Sequence, residues 1–263
     1  MEDSDKDSLA RRGQRLFEQL DSTLWGPVSW VGQTGSTNAD LAEQARLGAP
    51  EGTVLISDYQ NIGRGRFTRP WVAPAKSSIA MSVLVRPKNV ELNRWTWLPL
   101  LVGLAVAQGL CQATGLAAEL KWPNDVLVNG RKVCGILCER VETPFGPGAV
   151  LGMGINTKMT PDELPVPTAT SLAIEGAEVS QTQVAAAVLR SLEAKYSSWL
   201  AGEDLAREYL GSCRSIGREV VVVLSETERV QGFAEGVDAG GALLVRVGDQ
   251  VRAYSAGDVI HLR

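Results

Sequence analysis

Residues 120–139 read LKWPNDVLVNGRKVCGILCE. Two apolar runs, 120–128 and 132–139, flank Asn129-Gly130, the dipeptide that most favours a type I′ hairpin because both central residues must adopt positive φ. A hairpin of strands this apolar needs sheet neighbours to cover it. Candidates lie on both sides: residues 53–57 (TVLIS), 78–85 with an alternating pattern, and 149–155.

Helices fall between the strands. Leu9, Leu16, Phe17 and Leu20 have helical spacing, predicting a first helix that ends near Leu24. Residues 37–48 read as a second helix, with Thr37 and Asp40 as a capping box and Gly48 at the C-terminal cap. Residues 95–114 form a helix apolar nearly all round, hence central. Residues 180–200 form an amphipathic helix with Ser180 and Gln183 as its capping box, and a short helix over 205–210 follows. From Arg218 onward there are only short β-runs (VVVVL, VQGFAEGV, ALLVRV, VRAYS, VIHL), which suggest a small barrel-like unit. The expected architecture is α+β, with a mixed-sheet domain over residues 1–212 and a C-terminal β domain over 213–263.

The chain has 263 residues, 26 Lys plus Arg against 30 Asp plus Glu, and a formal charge of −4. A general nucleic-acid binder would need a net basic face, so that class is disfavoured. The longest run without a polar side chain, 97–107, is shorter than the roughly 20 residues of a membrane span. The charged first fifteen residues are not a secretory signal. Cys111, Cys134, Cys138 and Cys213 read as small buried residues of a reducing, cytoplasmic protein; Cys134 and Cys138 lack the partners of a zinc site, and no metal site is expected. His261, the single histidine, lies in the last β-run and reads as structural.

The chemistry concentrates in residues 60–71, QNIGRGRFTRPW. Arg64, Arg66 and Arg69 sit among glycines directly after an apolar strand, where planar donors and open backbone N–H groups suit a carboxylate or phosphate. The glycine spacing fits neither a Walker A loop nor a dinucleotide fingerprint. A solvated basic loop is the plainer reading, but Trp71 is costly to leave on a turn in water. Lys121, flanked by Leu120 and Trp122, should be partly buried with an anionic partner, Asp125 being the simplest. Residues 152–156 (GMGIN) and 36–38 (STN) could be strand punctuation and a helix cap.

Taken together, STN, QNIGRGRFTRPW, KWPNDVLVNGRKVCGIL and VLGMGIN, in this order and spacing, resemble the catalytic domain of bacterial biotin protein ligases from about residue 33 to 172. The C-terminal part is similar to the family's SH3-like domain. The resemblance implies a mixed sheet with helices on one side, related to class II aminoacyl-tRNA synthetases. It implies MgATP-driven conversion of biotin to biotinyl-5′-AMP, then transfer to one lysine of a biotin carboxyl carrier domain of an acyl-CoA or acetyl-CoA carboxylase. Lys121 and Arg66 would be catalytic. Ser36, Thr37, Asn38, Gln60, Gly63, Arg64 and Lys121 would meet biotin, with Gly135, Gly152 and Gly154 along its slot. Arg66, Arg69, Trp71, Asn124 and Asn156 would hold the nucleotide. The family loop usually carries a glycine where this chain has Thr68, and Pro70 also departs from the pattern; both reduce backbone freedom. No base for the incoming lysine stands out. About thirty residues precede the motifs, too few for the winged-helix DNA-binding domain of many members, so a monofunctional enzyme, monomer or weak homodimer, is expected. A lipoate or octanoyl ligase and a non-enzymatic biotin-responsive regulator are the other readings; labelled biotin against lipoate, with ATP and a carrier domain, separates all three.

The acidic balance generates a first prediction. A gel-shift titration with a biotin-synthesis promoter should show no sequence-dependent binding below micromolar protein; sub-micromolar, sequence-dependent binding would contradict it.

Overall fold

The computed structural model describes residues 2–262. Asn129 and Gly130 take φ of 50° and 75°, the two left-handed residues a type I′ turn requires, so the hairpin forms where the sequence predicts it. In chain order the elements are α1 (Glu2–Leu20), β1 (Val28–Val31), α2 (Thr37–Arg46), β2 (Val54–Ser57), β3 (Ser78–Val85), α3 (Leu98–Thr114), β4 (Ala118–Lys121), β5 (Asp125–Val128), β6 (Arg131–Val141) and β7 (Gly148–Asn156). They continue with α4 (Gln181–Leu200), α5 (Ala206–Ser212), β8 (Arg218–Val223), β9 (Arg229–Val237), β10 (Leu243–Val247), β11 (Gln250–Tyr254) and β12 (Asp258–His261).

Seven strands form one mixed sheet in the order β1-β2-β3-β7-β6-β5-β4, with β1 and β2 parallel and the other neighbours antiparallel. The last five form an antiparallel sheet, β11-β10-β9-β8-β12. The period of two assigns the faces of the large sheet. On β3 and β7 the side chains of Met81, Val83, Leu151 and Ile155 join the main core with α1, α3 and α4. Leu84 and Val150 point the other way and pack on Leu41 and Ala45 of α2. Helices therefore cover both faces, α2 alone lying opposite the rest. This explains why β3, predicted to alternate, is buried along its whole length.

Several boundaries differ from the sequence reading. The first helix stops at Leu20, where Ser22 Oγ accepts from the backbone N–H of Leu24 and Trp25. The cap of α2 is Ser36, not Thr37: Ser36 Oγ accepts from Ala39 N, while Asp40 is bonded to Thr34. Residues 92–97 form a separate 3₁₀ turn ahead of α3. The run 120–128 is not one strand. It folds at Trp122-Pro123-Asn124 into a second hairpin that pairs Lys121 with Asp125. The capping box of Ser180 and Gln183 is present as read. Leu92–Thr114 is long and apolar enough to cross a membrane by length and composition alone, and 67% of its most apolar window is buried inside the fold. Cys111 is exposed on α3, against expectation, whereas Cys134 and Cys213 are buried.

The two sheets meet at the Trp122 turn. Trp122 Nε1 donates to the carbonyl of Gly241 at 3.0 Å, and the Trp122 backbone N–H donates to Ser215 Oγ at 3.2 Å. Ser215 Oγ lies 2.9 Å from His261 Nε2. With the oxygen accepting from Trp122, its own proton is directed to an unprotonated imidazole nitrogen. Burial, then the charges of Lys121, Arg218 and Arg214, lower the His261 pKa to about 4.

Two predictions follow from this packing. The folded chain leaves His261 neutral between about pH 4 and 6.5 while the unfolded chain protonates it, so its contribution is present above pH 6.5 and lost on acidification toward 4. His261→Gln should flatten the pH dependence of the urea midpoint in that window; an unchanged slope would contradict this. At the α3–α4 crossing, a methyl on Gly109 would lie 2.6 Å from Val188 Cα. Overpacking against backbone costs about 1–3 kcal/mol, which outweighs the roughly 1 kcal/mol that alanine gains in helix propensity. Gly109→Ala should therefore lower the unfolding free energy by up to about 2 kcal/mol; greater stability in chemical denaturation would contradict it.

Candidate active site

One register row crosses the large sheet on the α2 face. Ser57 opposes Ala80, Ala80 opposes Gly154, Gly154 opposes Gly135, Gly135 opposes Asp125, and Asp125 opposes Lys121. Directly opposed residues point to the same side. The row thus makes a floor of small residues that ends in a carboxylate and an ammonium. The next row, Ser82, Gly152 and Leu137, extends the floor toward α2.

Above this floor lies a cavity of about 660 Å³. It is bounded by the start of α2, the arginine loop, the Trp122 turn, the segment 165–169 and the edge of the C-terminal sheet. Of the site residues read from the sequence, Ser36, Thr37, Asn38, Gln60, Arg64, Arg66, Arg69, Trp71, Lys121, Asn124, Gly135, Gly152, Gly154 and Asn156 all border it. Gly63 does not. It packs inside the loop, where a Cβ would meet the Trp71 carbonyl at 2.6 Å.

The loop is a tight hairpin. Trp71 N donates to the Gly63 carbonyl at 2.8 Å, Gly65 N to that of Arg69 at 2.7 Å, and Arg64 bridges Pro70. Phe67, at φ 53°, sits at its tip with Arg66 stacked 4.7 Å over its ring. The side chain of Thr68 lies outside the described residues. Each arginine has a carboxylate: Arg64 faces Glu139 at 3.6 Å, and Arg66 and Arg69 reach Asp258 at 3.5 and 2.5 Å. Burial lowers the Arg66 pKa, an effect that Asp258 and Asp125 oppose. The Trp71 indole lies directly on the floor. A Cβ on Gly154 would be 2.5 Å from Trp71 Cζ2, so only glycine permits this contact.

At the other end, Gln60 Oε1 accepts from Thr37 N at 2.7 Å and Thr37 Oγ1 at 2.9 Å. Asn38 lies over Gly152 and donates to the Leu137 carbonyl and to Glu139 Oε2, at 3.0 and 2.7 Å. Asn38 therefore braces the floor. Asn124 Nδ2 donates to the Ile136 carbonyl at 2.8 Å, tying the Trp122 turn to β6. Asn156 Nδ2 donates to the Thr170 carbonyl at 2.9 Å, while its buried Oδ1 has no partner among the described residues.

The lysines correct the sequence reading. Asp125 pairs with Lys132, Nζ to Oδ1 at 2.6 Å, not with Lys121. Lys121 is partly buried and, among the described residues, has neither ion-pair nor hydrogen-bond partner. Lys132, Asp125, Arg229 and Asp258 border the cavity and were missed. The hairpin pattern places Lys132 near the Asn-Gly turn but does not say which way it points, and Asp258 arrives from a distant strand. Six cations (Arg64, Arg66, Arg69, Lys121, Lys132, Arg229) border the cavity against two carboxylates, Asp125 and Asp258, in a chain of net charge −4.

The chain matches the biotin/lipoate A/B protein ligase family over residues 30–156 and the biotin protein ligase C-terminal domain over 215–262. It is 43% identical to the biotin–[acetyl-CoA-carboxylase] ligase of Mycobacterium tuberculosis, over 91% of this chain and 90% of that one. It is 31% identical to the bifunctional ligase/repressor BirA of Bacillus subtilis, over 85% of this chain and 70% of the relative. The Aquifex aeolicus biotin protein ligase in complex with biotin and ATP superposes with a TM-score of 0.76 at 28% identity, covering 89% of this chain and 97% of that one. On its fold, its ordered motifs and these relatives, the chain belongs to the biotin protein ligase family.

Proposed function

We propose that the cavity joins the biotin carboxylate to the α-phosphate of ATP, releasing pyrophosphate, and then passes biotin from biotinyl-5′-AMP to a lysine of a biotin carboxyl carrier domain. The observation that carries this reading is the local charge: six cations against two carboxylates over a floor of small residues. Two anions have to react here. At about 4 Å and an effective dielectric near 20, each unit-charge pair repels by roughly 4 kcal/mol. Preorganised cations offset that repulsion, most where charge builds up in the transition state.

Lys121 suits that task because, among the described residues, no carboxylate pairs with it. We assign it to the point where carboxylate and phosphate meet. Arg66 and Arg69 hold the phosphates, and Arg64, Gln60, Thr37 and Ser36 hold biotin at the α2 end. The free Asn156 Oδ1 is an acceptor, so it calls for an N–H such as the adenine amino group and not a phosphate oxygen. Trp71, lying on Gly154 and Gly135, forms a wall between the two subsites that keeps water from the mixed anhydride.

Magnesium fits as part of the MgATP substrate. Among the described residues no group of three or more His, Cys, Asp or Glu could hold it, and this ion ordinarily relies on substrate phosphates with one or two carboxylates.

In the second step the target lysine must shed a proton before attacking the anhydride. Asp125 stands in the floor row with Lys132 Nζ 2.6 Å from its Oδ1, and it is the carboxylate we assign to receive that proton. We assign ligand binding to residues 1–212 and closure of the nucleotide side to 213–263. Four free cysteines and the need for ATP support a cytoplasmic setting. The relatives' names, which specify acetyl-CoA carboxylase, support a carboxylase carrier domain as partner.

The test supplies carrier domain, ATP and labelled biotin or lipoate: label should transfer from biotin alone, and transfer from lipoate would contradict the reading. Lys121→Ala should slow biotin-dependent pyrophosphate release by about a hundred- to a thousand-fold, the usual loss for one preorganised charge donor. A rate within about threefold of wild type would remove Lys121 from this role.

A further inference from the structure

Asp258 opens β12 at the cavity edge beside the arginine loop, and its register partner is Val223 of β8. Its two oxygens are shared between two guanidinium groups: Oδ2 lies 2.5 Å from Arg69 Nη1 and Oδ1 lies 3.5 Å from Arg66 Nη1. Arg66 Nη1 also donates to the carbonyl of the preceding residue, Gly257, at 3.1 Å. One carboxylate bridging two arginines across a cavity edge is the arrangement a phosphate group would otherwise take up.

We infer that Asp258 is a tethered competitor of ATP, occupying the phosphate-binding arginines until the nucleotide displaces it. This rests on the assignment of Arg66 and Arg69 to the phosphates. A bound polyphosphate carries more charge and more acceptor oxygens than one carboxylate, so it wins the exchange. The nucleotide first has to find the arginines unlatched, and its apparent dissociation constant rises by the reciprocal of the unlatched fraction. The Asp258 and Arg66 side chains are 30% and 20% exposed and that of Arg69 is 65% exposed, so the pairs are partly screened. Two such pairs lower nucleotide affinity by about three- to tenfold. Biotin escapes the effect, because Arg64 is turned away from Asp258 toward Glu139. Asp258 thus sets how much ATP the enzyme needs without touching the reacting atoms. A residue that merely positioned the arginines would have the opposite sign, since its removal would weaken nucleotide binding.

The experiment is calorimetric titration of the biotin-saturated protein with a non-hydrolysable ATP analogue, for wild type, D258N, D258A and R69A, with biotin titrated separately into each. The inference predicts that D258N and D258A bind the analogue about three- to tenfold more tightly while biotin affinity stays within about twofold, as a folded site requires. Unchanged or weaker analogue binding in both Asp258 variants, with R69A clearly weakened, would overturn the competitor and leave the arginine assignment standing. An R69A protein that binds the analogue as wild type does would overturn that assignment and this inference with it.

Discussion

Among the described residues, a chain of net charge −4 gathers six cations around one cavity, with two carboxylates, Asp125 and Asp258, on its lining and a third, Glu139, facing Arg64. Like charges so close together are tolerable only if each is hydrated, paired or waiting for an anion. Arg64, Arg66 and Arg69 are paired, and each pairing is long, half-exposed or shared. The Lys121 side chain has no ion-pair partner among the described residues. The excess is a standing demand for negative charge, and a nucleotide polyphosphate with a carboxylate acid meets it. Most of what the fold does elsewhere is to bring these side chains to one place and keep the chain's acidic groups out of it.

The sheet does this through register. Ala80, Gly154, Gly135, Asp125 and Lys121 fall on one row only because β3, β7, β6, β5 and β4 are aligned as they are. A slip of one residue would send the whole row to the other face. The opposite face excludes that slip, since Met81, Val83, Leu151 and Ile155 would lose the main core of α3 and α4. Burial of large apolar residues on one side therefore guarantees small and charged ones on the other. The same alignment explains why two glycines serve as contact surface: Trp71 and Asn38 lie where any side chain from Gly154 or Gly152 would have to be.

Much of this was legible in residue order. Asn129-Gly130 encodes its turn locally, and the capping box of Ser180 and Gln183 is equally local, so both stand where they were read. The arginine loop announced an anion site through composition alone, and its arginines do border the cavity. The misreadings are non-local. Residues 120–128 look like one apolar strand, but the Trp122-Pro123-Asn124 turn is held by Ser215 and Gly241, far along the chain. That turn sets Lys121 opposite Asp125 in the register row, yet the Asp125 carboxylate pairs with Lys132 from β6. Asp258 carries no motif; it matters only because the second sheet docks beside the loop. Gly63 looked like the other loop glycines, and the difference is which side of the hairpin its missing Cβ would fill.

The central claim is that this charged cleft makes an acyl-adenylate reversibly, before any carrier protein is involved. Exchange of labelled pyrophosphate into ATP, with the purified chain and no carrier, measures that step alone. The account predicts exchange that requires biotin and disappears when biotin is replaced by biotinol, which lacks the carboxylate. Exchange that proceeds without biotin, or none with biotin and ATP both bound, would contradict it.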